Sequence, residues 1–216
     1  MPDLNFSIDG AAAVLYATSP LLALKLRIDN ADEAEQIHSV LLQCQIQIES
    51  PRRAYTAVEQ AGLTDLFGEP ERWGQTLRTM LWTHASVNVT GFSGSTVIDV
   101  PLPCTFDLNV AATKYFHALE RGEVPICIQF SGTVFYQSED SGLQVARIPW
   151  SKEARYRLPV SVWNEAIDHY YPNTAWLSLR RDVFDRLHEY KRRKGILTWE
   201  ETVEDLLARA GDEVLS

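Results

Sequence analysis

Apolar and polar residues alternate along the segment before Pro51, and this pattern sets the strongest limit on the fold. Its even positions are apolar and its odd positions from 43 onward are polar: Val40, Leu42, Cys44, Ile46 and Ile48 alternate with Gln43, Gln45, Gln47 and Glu49. Period two predicts a β-strand with one buried and one solvated face. A solvated face favours an antiparallel sheet, because strands of a helix-covered parallel sheet read as continuous apolar runs. Pro51 ends the strand, since proline has no N–H to donate to a neighbouring strand.

The same period predicts further strands up to about residue 158. Alternation recurs over residues 4–8, 22–28, 81–89, 98–110, 124–136 and 143–148. Over residues 81–89 it places Leu81 on the apolar side and Trp82 on the opposite side. Pro101 and Pro103 lie out of phase with the apolar residues of 98–110, which predicts an edge strand or a bulge there.

Two parts of the chain lack the period-two alternation. Residues 52–77 have a helical composition. From Pro159 onward the apolar residues recur at helical spacing. In that part Gly195 marks the end of one helix, and Thr198 and Glu201 form the capping box of the next. The prediction is an α+β protein. Residues 1–158 form an antiparallel, immunoglobulin-like β-sandwich with a helical insertion at about 52–77, and residues 159–216 form a helical appendage packed on the same domain.

Composition excludes several classes of function. The 216 residues carry a net charge of −9, which disfavours binding to nucleic acid or to an anionic membrane. No apolar run approaches the roughly 20 residues that a membrane helix needs, and residues 1–6 lack a secretory pattern, so we expect a cytoplasmic protein. The cysteines Cys44, Cys104 and Cys127 are far apart and each lies inside an apolar strand pattern, which indicates reduced core thiols.

Signatures of catalysis or metal binding are missing from the sequence. It has no glycine-rich phosphate loop, no G-x-S-x-G, no H-E-x-x-H and no paired C-x-x-C. The five histidines are dispersed, although folding could bring His38, His84 and Asp99 together as metal ligands. Cys44 or Cys104 with His84 as base is a second option, against which a buried inert thiol is favoured. We therefore expect no catalytic residues, no metal and no cofactor.

Four residues near the insertion are candidates for partner binding: Arg52, Arg53, Arg72 and Trp73. Tryptophan and arginine are enriched at binding hot spots, and paired arginines can clasp a carboxylate or phosphate. Alternatives remain open for each. Arg52 and Arg53 can be charges at a strand end with Tyr55 packed nearby, and Trp73 can pack the insertion onto the sheet.

The carboxylates of the insertion offer groups for acid–base chemistry: Glu59, Asp65, Glu69 and Glu71. Their setting is a polar segment, and we interpret all four as a solvated face.

Eight short runs of the sequence are distinctive: PRRAY (51–55), LFG (66–68), RWGQTLR (72–78), LWT (81–83), PCTFD (103–107), GEVP (122–125), FSGTVFY (130–136) and IPW (148–150). Together they resemble an uncharacterised bacterial family encoded in gene clusters of nickel–iron hydrogenases. The resemblance covers nearly the whole chain. It implies an accessory role in hydrogenase assembly or maturation, and it carries no catalytic residues with it.

Two hypotheses of function follow. The first is a non-enzymatic protein-binding module whose partner, by the resemblance, is a hydrogenase subunit or maturation factor. The second is an enzyme or small-ligand-binding protein with a site formed across the strands by Arg52, Arg53, His84, Asp99 or Asp107. A concave pocket converging on these side chains would favour the second hypothesis. The oligomeric state is open.

Overall fold

The computed structural model describes residues 2–33, 35–104, 110–138, 142–174 and 177–214. The chain divides into two compact units, Met1–Thr174 and Ala175–Ser216. The strands are β1 (Leu4–Ala13), β2 (Leu21–Asn30), β3 (Gln36–Ile48), β4 (Met80–Phe92), β5 (Ser95–Pro103), β6 (Glu123–Ser138), β7 (Gly142–Arg147) and β8 (Glu153–Pro159). The helices are α1 (Ala57–Gly62), α2 (Thr64–Phe67), α3 (Trp73–Thr76), α4 (Val110–His117), α5 (Val160–Tyr170), α6 (Arg181–Lys194) and α7 (Trp199–Val214). The predicted α+β class is confirmed.

All the described strands belong to two antiparallel sheets in the first unit. One sheet has the order β1-β2-β5, and the other has the order β4-β3-β6-β7, with β8 also paired to β6. The central strand β3 is hydrogen-bonded to β4 on one side and β6 on the other, so that Leu42 lies opposite both Val87 and Gly132.

The core lies on the apolar faces of these sheets, as the alternation predicted. The five even-numbered apolar residues of β3 are each at most 1% exposed, and the corresponding residues of β2 are buried in the same way. Phe6 of β1 stacks on Phe130 of β6 with ring centroids 4.2 Å apart, which brings the two sheets into contact. Burial of apolar area is the main favourable contribution to such a fold.

The predicted phase of β4 is wrong at its start. Leu81 is 55% exposed, whereas Trp82 is buried and packs against Phe116 of α4 with centroids 5.1 Å apart. Ile46 of β3 pairs with Thr83 and the next residue, Gln47, pairs with Leu81, so Trp82 is the extra residue of a β-bulge. The bulge inverts the phase before residue 83, and the alternation beyond it holds, with Ala85 and Val89 buried.

The strand predicted over 98–110 is too long at its end. β5 ends at Pro103, and Val110 is the first residue of helix α4. Residues 105–109 lie outside the described part of the chain. Among the described strands β5 pairs with β2 alone, so Pro101 and Pro103 lie on an edge strand as predicted, where a missing N–H costs no hydrogen bond.

Helices are present in both segments where the sequence predicted them. Short helical turns and α1 to α3 fill residues 50–76 between β3 and β4, and α5, α6 and α7 follow β8. Gly195 ends α6 in the left-handed conformation with φ +69°, and Thr198 and Glu201 exchange the two hydrogen bonds of a capping box. The structure assigns α5 to the first compact unit, and the second unit begins at Ala175. No helix in the described ranges is long and apolar enough to cross a membrane.

Candidate functional site

The candidate site is the insertion, defined here as residues 50–79 between β3 and β4. Its two ends are joined next to the sheet, because the hydroxyl of the buried Ser50 donates a hydrogen bond of 2.6 Å to the carbonyl of Arg78. The insertion therefore leaves and re-enters the sheet at a fixed separation.

Arg53 fixes the insertion from inside. Its side chain is 9% exposed and donates two hydrogen bonds to the carboxylate of Glu59, at 2.9 and 2.7 Å. The same guanidinium donates to the carbonyls of Arg121 at 2.6 Å and Glu123 at 3.1 Å. Arg53 thus joins helix α1 to the segment that enters β6.

Glu59 was interpreted above as part of a solvated face, and that interpretation is wrong. The residue is 1% exposed, whereas Asp65, Glu69 and Glu71 are exposed as expected. Glu59 also accepts hydrogen bonds from the backbone N–H groups of Thr56 at 3.0 Å and Glu120 at 3.1 Å. Burial by itself would raise the pKa of this carboxyl, but the hydrogen bonds from Arg53 and the two N–H groups outweigh it and lower the pKa.

An aromatic cluster packs beside this ion pair. The Tyr55 hydroxyl lies 2.7 Å from that of Tyr115 and donates to the carbonyl of Ser50, and the Arg53 guanidinium sits 5.0 Å from the Tyr55 ring centroid. The Tyr55 packing beside Arg53 that the sequence suggested is therefore present. The hydroxyl of buried Tyr115 is satisfied by this pairing, which buried tyrosines require.

Trp73 packs on the outside of the cluster. Its ring meets Tyr55 edge-on at 5.3 Å and Phe67 at 6.1 Å, and its indole N–H donates to the carbonyl of Gly68 over 2.9 Å. The side chain is only half-buried. Trp73 therefore holds the fold of the insertion and also presents part of its ring to solvent.

Arg52 and Arg72 point outward. Arg52 forms an exposed ion pair with Glu49 at 3.2 Å, and it lines an open groove with Arg155 and Arg157. Arg72 is exposed, and no carboxylate in the described residues forms an ion pair with it. The four predicted residues thus lie on one insertion. The guanidinium of Arg53 is hydrogen-bonded inside it, and the side chains of the other three reach the surface.

Comparison with protein-family models matches residues 1–215 to a family of unknown function, DUF6084. The chain belongs to this family. No curated protein matches it.

Two solved structures show weak similarity to this DUF6084 chain. A late embryogenesis abundant (LEA) protein determined in solution has 14% identity and a TM-score of 0.32, over 74% of this chain and 73% of that one. The ApaA protein from Bordetella pertussis has 13% identity and a TM-score of 0.24, over 73% of this chain and 93% of that one. TM-scores this low do not establish a shared fold.

The described residues among those considered for metal binding or for the enzyme alternative are not brought together in the DUF6084 structure. His38 and His84 belong to paired strands, but His84 lies beside Gln45, seven residues along β3 from His38, which is about 23 Å at the usual strand rise. Asp99 lies in the other sheet and pairs with Lys25. Asp107 is outside the described residues. Within those residues, no group of three His, Cys, Asp or Glu side chains could hold a metal ion.

The cysteine and histidine of the nucleophile hypothesis face opposite sides of one sheet. Cys44 is 1% exposed in the core, and His84 is exposed on the outer face. Burial raises the pKa of Cys44 and Cys104 to about 12 and, with help from nearby carboxylates such as Glu153, raises that of Cys127 to about 11. Thiols with such pKa values are poor nucleophiles near neutral pH.

We expect all three thiols to be unreactive in the native protein. Ellman's reagent at pH 8 should label no thiol of the folded chain within an hour and all three once guanidinium unfolds it, because only the thiolate attacks the reagent. Fast labelling of one native thiol would contradict the assignment of the cysteines to the core.

Sequence reasoning missed Glu59 and Tyr115 as members of the site. Glu59 carried a usable signal, since Thr56 and Glu59 have the spacing of a capping box and both of its hydrogen bonds form. Tyr115 had no comparable signal, because it comes to Tyr55 from 60 residues away.

Proposed function

We propose that this DUF6084 protein is a non-enzymatic, protein-binding accessory protein that uses the insertion as its recognition surface. The observation that carries the proposal is the contrast between the inside and outside of the insertion. Inside, every polar group described above is paired. Outside, Arg72 forms no ion pair with any described residue and stands next to the half-buried Trp73. A preorganised segment that presents arginine and tryptophan is a favourable binding surface, because little conformational entropy is lost on binding.

The proposed scaffold for this surface is an immunoglobulin-like sandwich. Strand order supports it: β1-β2-β5 and β4-β3-β6-β7 follow the order A-B-E and C′-C-F-G of that fold. In this scheme the insertion is an elaborated C–C′ connection at one end of the sandwich. Connections at the end of a rigid sandwich are common sites of recognition.

Within the proposal the four candidate residues have different tasks. Arg72 and Trp73 contact the partner, and Arg52 extends the surface toward the groove beside Arg155. Arg53 positions the insertion through Glu59, since its guanidinium is already occupied by four hydrogen bonds within the chain.

The partner we propose is a hydrogenase subunit or a nickel–iron hydrogenase maturation factor in the bacterial cytoplasm. Support for this identity comes from the sequence resemblance alone. The dispersed His and Cys residues favour a protein that handles a polypeptide over one that carries metal.

Affinity purification from hydrogenase-expressing cells tests the proposal. Tagged wild-type protein should recover a hydrogenase component, identified by mass spectrometry, and Arg72→Ala should weaken binding of that purified component about tenfold. Because Arg72 is exposed and has no ion-pair partner in the described residues, its removal should leave the melting temperature unchanged. Arg147→Ala is the matched control, as Arg147 is an exposed arginine of β7 that pairs with Thr133 of β6, seven residues along that strand from Ile126 beside the insertion.

Trp73→Ala separates recognition from packing. The proposal expects a loss of binding larger than that of Arg72→Ala, with a modest decrease in melting temperature from the lost contacts with Tyr55 and Phe67. Recovery of no hydrogenase component by the wild type would remove the partner assignment. Undiminished binding by both variants would remove the insertion as the binding surface and return the small-ligand alternative to consideration.

A further inference from the structure

The second unit leaves its apolar side chains uncovered. Helices α6 and α7 form a hairpin held by Phe184 against Trp199 at 5.2 Å and by a hydrogen bond from Tyr190 to Asp205. Among residues 177–211, whose side chains the structure describes, every large apolar side chain is half-buried or exposed, and Thr202 alone is buried. Leu207 is 66% exposed.

A hairpin of this size needs another surface to cover that face. Two helices in contact bury only the stripe between them, and units as short as Ala175–Ser216 usually depend on a further partner for a stable core. An open groove on the hairpin is lined by Val183, Leu187 and Leu206, and additional helices can pack against it.

The charges of the two helices are opposite, which indicates what covers the face. Helix α6 carries six Lys and Arg against three Asp and Glu, a net charge of +3, and α7 carries six Asp and Glu against one Arg, a net charge of −5. A surface with one basic and one acidic helix is complementary to itself when a two-fold axis places each helix opposite the other kind.

We propose that this hairpin is a homodimerisation element. Two copies form a four-helix arrangement in which α6 of one chain lies against α7 of the other, with the apolar groove and Leu207 in the shared core. The inference is independent of the proposed recognition surface, because the insertion belongs to the other compact unit.

Several charges of the hairpin are free to act between chains. Arg186 and Arg193 on α6, and Glu200 and Glu204 on α7, form no ion pair within the described residues. By contrast, Glu189 pairs with Arg192, and Asp205 pairs with Arg209, inside the same helix. Reversing the two arginines or, separately, the two glutamates therefore tests association between chains while keeping the ion pairs of each helix.

Sedimentation equilibrium of the full chain gives the first test. The wild type should approach twice the monomer mass of 24.5 kDa at micromolar concentration. Leu207→Glu should weaken association at least about tenfold, because it places a charge in the shared apolar core. Leu197→Glu is the matched control, since Leu197 lies in the connection between the helices and is 86% exposed, and it should leave the mass unchanged.

Charge reversal gives the second and sharper test. Arg186→Glu with Arg193→Glu, and separately Glu200→Arg with Glu204→Arg, should each weaken self-association at least about tenfold through like-charge contacts. An equimolar mixture of these two variants should restore the dimer, because both interhelical contacts are then between opposite charges. A wild type that is monomeric at 100 µM, or reversals that leave the dimer intact, would overturn the proposal, and unchanged circular dichroism excludes simple unfolding as the cause.

Discussion

Gly132→Ala is expected to destabilise the protein by about 4 kcal/mol or more, which is a large share of the stability of an ordinary domain. Gly132 has φ +145° and lies opposite Leu42 in the central strand pair. A Cβ atom there would lie 2.0 Å from the carbonyl oxygen of Leu41, far inside van der Waals contact. The backbone of β3 cannot yield without breaking its pairing on both sides, so the cost falls on the whole sheet.

Urea unfolding of the variant and of a matched control measures this effect. Gly10→Ala is the control, because Gly10 lies in edge strand β1 with no atom within 4 Å of an added Cβ. We expect it to change the free energy of unfolding by less than about 0.5 kcal/mol. Equal free energies of unfolding for Gly132→Ala and the wild type would contradict the close contact between Gly132 of β6 and the Leu41 carbonyl of β3.

Glu59→Gln should cost about 3 kcal/mol of folding free energy, the second large effect. The substitution keeps the shape of the side chain but leaves the Arg53 guanidinium buried without its counter-charge, and breaking a buried pair in this way is strongly destabilising. Glu189→Gln removes an exposed ion pair with Arg192 and should cause no measurable change. A small effect of Glu59→Gln would mean that the pair contributes nothing to the rigidity of the insertion.

The same variant gives a test by pH. Because the folded structure lowers the pKa of Glu59, its contribution to stability is fully present above the ordinary carboxyl value of 4.5 and is lost as the pH falls through the folded pKa. The difference in unfolding free energy between wild type and Glu59→Gln should therefore be constant at neutral pH and shrink below about pH 4.5. A difference that grows in acid would contradict the lowered pKa.

Some features of the insertion can be predicted from the sequence, and others cannot. Its position between two strands, its helical turns and the outward Arg72 follow from composition and from the proline and glycine spacing. The burial of Glu59 does not, because it depends on the N–H of Glu120, 61 residues away, and on Arg53, whose guanidinium is held by the carbonyl of Arg121. Polar composition predicts solvation only when no distant segment supplies matching donors and acceptors.

In strand β4, too, the sequence pattern predicts one part of the structure and misses another. The alternation predicted the strand and its later burial pattern, yet the side taken by Leu81 and Trp82 depended on one extra residue in the pairing with β3. A single inserted residue exchanges the two faces of a strand, and its position is set by the partner strand and by the Phe116 ring that receives Trp82.

The alternation did not predict strand β8. What the sequence does predict is the order of the other strands and of the helices after Pro159, the buried face of β3, the edge position of Pro101 and Pro103, and the helix ends at Gly195 and Thr198. These features depend on local periodicity and on backbone restrictions that each residue carries with it. Contacts between distant segments set the inward orientation of the Trp82 side chain, the burial of the Arg53–Glu59 pair and the requirement for glycine at position 132. Each of these depends on which atoms of a distant segment come within contact distance, and no local pattern encodes that distance.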